Sequence, residues 1–332
     1  MTYEQYEELL NNLLKQTKQK RPDIPERIKN DSIEHLLNVY SKEYNRLYKE
    51  LLNELTDKFS YGAEPTQAET MSVIAQLERR IMELNDRISA DVRIELEKNY
   101  ILGHANHSLI VEQITEMALL QAFAPYTLIN HPKAEQLIAD TMDDLLFATQ
   151  HTSKELKKVI RDVFNKHLTL AGLTGDNYSE LVKVIKKELT RKGLSEKLIN
   201  EGFIGIIDRA GRKWNLKTYV EMVVSTKMST AYHEGMKDKA IETGKDLARV
   251  SEKGSHTPCK YFEGMIISMT GQTEGYMTYD QLQATGMIFH PNCQHTCYPV
   301  GKIDLVHPED LKHHEKKMED VSSGLNKYAK KK

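Results

Sequence analysis

The sequence predicts a mainly α protein: a long helical N-terminal region, arranged as a hairpin or bundle, followed by a small α+β module rich in histidine and cysteine. Apolar residues recur at helical spacing through much of the chain. The period shortens to strand-like runs after Gly244. All 3 cysteines fall between Ser255 and Val300, close to histidines, in a stretch punctuated by turn residues.

The helical region begins with an amphipathic helix over residues 3–20, where Tyr3, Tyr6, Leu10, Leu13 and Leu14 share a face. A basic break at Lys18–Pro22 follows. Asp31 or Ser32 is positioned to cap a longer helix carrying Ile33, Leu37, Tyr40, Tyr44, Leu47, Leu51 and Leu55. Tyr61–Thr66 reads as a turn. Beyond it Ile74, Leu77, Ile81, Leu84 and Ile88 repeat the same spacing. Two matched stripes joined by a Gly/Pro turn predict an antiparallel helical hairpin. His104-Ala105-Asn106-His107 opens a less periodic zone, and its histidines read as polar or capping groups. Lys154–Leu170, Ser179–Lys192 and Ser195–Trp214 read as further helices, and a long helix runs from Tyr219 to about Thr243, closed by Gly244. Asp246–Ser251 and Gly264–Met269 read as short strands. From Val306 onward the chain is polar and charged, and Lys327 with Lys330–Lys332 reads as a mobile basic tail. The expected divisions are a hairpin arm at 1–100, a helical domain at 101–215, the His/Cys module at 216–305 and the tail at 306–332.

Composition narrows the function classes. The net charge is −2, with 28% charged and 39% hydrophobic residues. The chain is therefore no polycation, and nucleic-acid contact would have to come from local patches such as Lys183, Lys186, Lys187, Arg191 and Lys192, or Lys327 and Lys330–Lys332. No apolar run reaches membrane-spanning length. Met1–Glu7 is acidic and polar, unlike a signal peptide, and so few cysteines in a chain this long are not a disulfide framework; a reducing cytoplasm is the expected site of synthesis.

The histidines and cysteines form two short clusters, His256-Thr257-Pro258-Cys259 and His290-Pro291-Asn292-Cys293-Gln294-His295-Thr296-Cys297. Thiolate and imidazole are the ligands that tetrahedral zinc prefers. A Cys2His2 set of His256, Cys259, Cys293 and His295 is the first choice for a structural zinc, with His290 and Cys297 as alternates. Such an ion would staple a module too small to hold itself. A catalytic zinc is not expected: no HExxH helix accompanies the clusters, and Glu263, Glu274 and Asp280 show no evident partner in the sequence. No GxSxG, P-loop or GxGxxG motif is present.

Asp208-Arg209-Ala210-Gly211-Arg212-Lys213-Trp214, then Tyr219-Val220-Glu221-Met222 and Thr226, then Gly244–Leu247 leading to Val250-Ser251, resembles the phage minor capsid protein 2 family, which is related in layout to Mu protein F-like head morphogenesis proteins. The resemblance continues through His256, Cys259, Gly264, Gly286 and the His290–His295 string, and covers roughly 205–300. It implies a non-enzymatic structural protein of a tailed phage or prophage, placed in the virion at the portal vertex inside the head. The implied work is head assembly or DNA packaging and delivery. Its partners would be the portal protein, scaffolding or major capsid protein and packaged DNA, with no membrane. The competing readings are an ADP-ribosyltransferase-like or metal-dependent enzyme drawing on Arg212, Ser225, Tyr232 and Glu234, and a non-specific DNA-binding protein.

Overall fold

A computed structural model describes residues 29–40, 67–112, 135–147, 205–207, 213–301 and 303–329, with isolated helical positions elsewhere. The expected helices at 3–20, 154–170 and 179–192, the turn at 61–66 and most of the lysine cluster lie outside the described residues. The elements used below are α1 (Gln67–His107), β1 (Gly205–Ile207), β2 (Lys213–Asn215), α2 (Leu216–Thr243), β3 (Leu247–Val250), β4 (Ile266–Ser268), α3 (Tyr279–Ala284), β5 (Cys297–Gly301) and α4 (Pro308–Ala329). Helical residues also occupy 29–40 and 135–147. The chain divides into two compact units, one of residues 1–33, 93–138 and 225–332, the other of 34–92 and 139–224.

Within the second unit, Arg80 on α1 pairs with Glu50 at 2.8 Å. Within the first, Asn99 Nδ2 donates to Ser32 Oγ at 3.0 Å. The turn expected to join the two stripes lies outside the described residues, and the helix after it is longer than the stripe suggested. α1 spans 41 residues and runs through residue 100, where a domain boundary was expected. Helix is already established at Lys29, so Ser32 is not a cap; it is buried and receives the Asn99 amide. His104 and His107 do not end the periodicity. Both are buried on α1. Burial pushes His104 down to about 4, so it is neutral beside Glu242, and His107 Nε2 sits 2.7 Å from the Lys245 carbonyl.

The second unit also corrects the reading of 195–214 as helix. Gly205–Ile207 and Lys213–Asn215 pair as antiparallel strands, with Ile206 opposite Trp214. Neighbouring isoleucines and a tryptophan suit a pleated surface better than a helix, and glycines on either side weaken the helical alternative.

In the first unit, α1 and α2 meet at two glycines. A Cβ on Gly103 would lie 1.8 Å from the Tyr232 carbonyl oxygen, and one on Gly235 would lie 1.9 Å from the Tyr100 carbonyl oxygen. The backbones touch, and each glycine is the space that the other helix fills. Tyr100, Tyr232, Met228, Met236, Ala231 and Ala240 are all buried around this crossing. Asn106 Nδ2 donates to Tyr232 Oη at 2.9 Å, and that hydroxyl donates to the Cys297 carbonyl at 3.1 Å. The contact thereby reaches the sheet.

α2 ends where expected, at Gly244 with φ +63°, and β3 starts shortly after it. The sheet order is β4-β3-β5, all antiparallel. The two expected strands are β3 and β4; β5, which contains Cys297, was not anticipated. Its Tyr298-Pro299-Val300 run carries a proline, which reads as loop, but β5 is an edge strand and tolerates a missing donor. Asp246, just ahead of β3, accepts hydrogen bonds from the Ser268 and Thr273 hydroxyls, from Thr270 Oγ1 at 2.8 Å and from Gln272 N at 3.1 Å, which fixes the loop after β4.

The polar stretch after Val306 forms a helix, α4, and Lys330–Lys332 lie outside the described residues. α4 docks on the module, where Leu311 packs against the cluster of Leu247, Ile266 and Val306, and His314 Nδ1 accepts from Ile266 N at 3.1 Å. Leu311, His314, Met318 and Val321 recur at intervals of three and four, the stripe of an amphipathic helix that the high lysine content obscures.

Two outcomes are expected from equilibrium denaturation. Gly103→Ala and Gly235→Ala each destabilise the protein by about 2 kcal/mol or more, because the added methyl meets backbone that cannot yield; stability equal to wild type would refute the crossing. Burial raises the pKa of Asp246, but its hydrogen bonds outweigh this and hold the carboxyl below its ordinary value of 3.8. Its contribution is therefore complete above that value and is lost as pH falls through the lower folded-state value. Asp246→Asn should cost about 2 kcal/mol at neutral pH and flatten the acid limb of the stability profile.

Candidate metal centre

Cys259 sits in a 3-10 turn, Pro258–Tyr261. Cys293 and His295 lie in the loop that leads into β5. The Cys259, Cys293 and His295 ligand atoms are all within 4.8 Å of one another, and all three residues are buried. No other such group of three occurs among the described residues.

The local sequence explains how the second cluster is shaped. Cys293 N donates to the His290 carbonyl at 2.9 Å, and Asn292 has φ +64°. His-Pro-Asn-Cys thus closes a tight turn with proline second and a positive-φ asparagine third, the preference of a type II turn. The preceding Phe289 is also at φ +54°, a conformation that costs a bulky residue about 1–2 kcal/mol. Aromatic packing holds it there: its ring centroid lies 4.6 Å from that of Tyr279 and 5.5 Å from that of His233. His233 is fixed in turn. Its Nε2 accepts from Cys297 N at 3.2 Å and its Nδ1 faces Tyr279 Oη at 3.1 Å, while burial drives its pKa well below the usual value. A neutral, internally satisfied histidine therefore anchors the turn that presents His290 and Cys293.

Both histidines of the second cluster have one nitrogen engaged and the other aimed at a sulfur. His295 Nε2 is 2.9 Å from Glu263 Oε1, and its Nδ1 is 3.4 Å from Cys293 Sγ. His290 Nδ1 donates to the Pro291 carbonyl at 3.0 Å, and its Nε2 is 3.3 Å from Cys259 Sγ. An acceptor on the far nitrogen fixes the tautomer that leaves the near lone pair free, as in metal-ligating histidines. Zinc bonds of about 2.3 Å to sulfur and about 2.0–2.1 Å to nitrogen give a tetrahedral S···N edge of about 3.6 Å, close to both separations. Burial raises the Cys293 pKa, while hydrogen bonds from the His295 and Phe289 backbone to its sulfur oppose that rise and favour thiolate. The Cys259 thiol donates to the Met287 carbonyl at 3.1 Å, a bond that metal binding would exchange for a metal–sulfur bond.

The structure thus brings together Cys259, Cys293 and His295 of the first-choice set, with His290 beside Cys259. His256 is exposed and lies outside the group. Cys297 also lies apart: it is fully buried in β5, and burial raises its pKa strongly. Glu263, which showed no partner in the sequence, holds His295 and also accepts from the Lys253 and Ser255 N–H groups at 3.0 and 2.9 Å. Burial alone would raise its pKa, but these bonds keep it lowered. Only the fold pairs it with His295, so spacing along the chain could not reveal it. Of the residues considered for an enzyme, Tyr232 is spent on Asn106 and Cys297 and Glu234 on Lys237 at 3.0 Å.

A small sheet flanked by helices thus carries a buried group of two thiols and one imidazole, with a second imidazole, His290, beside Cys259. Residues 189–331 match the family model of phage minor capsid protein 2, so this part of the chain is similar to that family. No curated protein and no solved structure matches the chain at a significant level. The match supports a structural role in the phage capsid and a place in the virion. No helix of the described residues is long and apolar enough to cross a membrane.

Zinc titrated into metal-free protein, followed by chelator competition, should load wild type and Cys297→Ser alike, with Cys297→Ser paying about 1–3 kcal/mol in stability for its buried hydroxyl. Cys259→Ser and Cys293→Ser should lose tight binding. Full retention by both would remove the thiolates from the site.

Proposed function

We propose that the protein is a minor virion component at the portal vertex inside the head, acting in head assembly and in DNA packaging or delivery without catalysis of its own. The portal protein is its principal partner; scaffolding or major capsid protein and packaged DNA are secondary contacts. The match of residues 189–331 to the phage minor capsid protein 2 family carries this reading. In it, Cys259, His290, Cys293 and His295 hold a structural zinc ion. Four protein ligands leave no open position, so the ion would supply cross-linking of loops rather than chemistry. It would tie the 3-10 turn at Cys259 to the loop before β5, a useful constraint for a small sheet that must hold its shape beside densely packed DNA.

The test is retention of the full chain on immobilised cognate portal, with major capsid protein and double-stranded DNA as parallel baits across a salt series. Portal-selective retention that survives high salt is expected. Equal retention on all baits, or binding to DNA alone with a steep salt dependence, would replace this reading with non-specific nucleic-acid binding.

A further inference from the structure

Glu263 stands at a junction. Its carboxylate holds His295, and through the Lys253 and Ser255 N–H groups it also gathers the loop after β3. Its own carbonyl is 3.2 Å from His313 Nε2 on α4. Gly264 makes that approach feasible, since a Cβ there would lie 2.5 Å from the same His313 nitrogen. Helix α4 touches this segment again where Lys317 Nζ donates to the Lys260 carbonyl at 2.7 Å, one residue beyond Cys259. The segment 259–264 therefore carries a thiolate ligand at one end, the carboxylate behind an imidazole ligand at the other, and the seat of α4 between and beside them.

We propose that Glu263 is a positioning residue that couples zinc binding to docking of the C-terminal helix: its side chain orients His295 toward the ion, and its backbone, ordered by the same contact, receives α4. The proposal rests on the metal reading above. It makes zinc occupancy a control on how firmly residues 308–329 are held, and hence on whether the stripe of Leu311, Met318 and Val321 stays against the module.

Full-length wild type, Glu263→Gln, Glu263→Ala and His313→Ala would be compared for zinc affinity by chelator competition and for amide hydrogen exchange in α4 with and without zinc. In wild type, zinc should slow exchange across α4. Glu263→Ala should weaken zinc binding by about 10–100-fold, the usual loss on removing such a partner, and should lose most of the zinc-dependent protection of α4. Glu263→Gln keeps an acceptor oxygen and should recover much of both. His313→Ala should keep wild-type zinc affinity while α4 exchanges faster. Wild-type affinity in both Glu263 variants, or α4 exchange in wild type that ignores zinc, would overturn the coupling and leave the metal site standing. A wild type that binds no zinc would overturn the metal reading and this proposal with it.

Discussion

The contact on which the first unit depends is the glycine-to-glycine crossing of α1 and α2. Side chains normally hold packed helices about 8–10 Å apart. At Gly103 and Gly235 there are none, and each glycine faces the opposing carbonyl directly. Because the helices come this close, Asn106 can reach the Tyr232 hydroxyl, and that hydroxyl can reach the Cys297 carbonyl in β5. The next residue on α2, His233, takes the Cys297 N–H and braces Phe289. A chain of short, buried contacts thus runs from the helix crossing to the turn that presents His290 and Cys293. Separating the helices by the width of a methyl would strain every link in it.

The titratable groups of this unit are held in one charge state by burial or by hydrogen bonds. His233 and His104 are held neutral by burial, and Asp246 and Glu263 are held ionised because each collects several donors. Such networks rigidify a core when complete. The His/Cys cluster shows the same logic, with far-side acceptors already placed for His290 and His295.

The C-terminal helix changes how the module is understood. Read as a tail, residues 306–332 contribute nothing to the fold. As α4, residues 308–329 cover the cluster of Leu247, Ile266 and Val306, and they place His313 and His314 on the backbone of Glu263 and of β4. The small sheet is therefore flanked by helical material at both ends of its own sequence, which relieves a three-stranded sheet of the need to stand alone.

The sequence by itself determined the mainly helical class, the helix ending at Gly244, the strands flanking the first cluster and the resemblance to a phage minor capsid family. Each of these is written in local signals: apolar spacing, a glycine stop, β-branched runs, and a motif string read in order. It also marked Cys259, Cys293 and His295, because ligand types crowd together there. Tertiary structure decided the rest. It set His256 aside in solvent, brought His290 to Cys259, buried Cys297 in an edge strand, supplied Glu263 as the partner of His295, and turned the lysine-rich end into a docked helix. These outcomes depend on which backbone surfaces meet, and Gly103 and Gly235 lie more than a hundred residues apart in the chain. No local pattern could show that they touch.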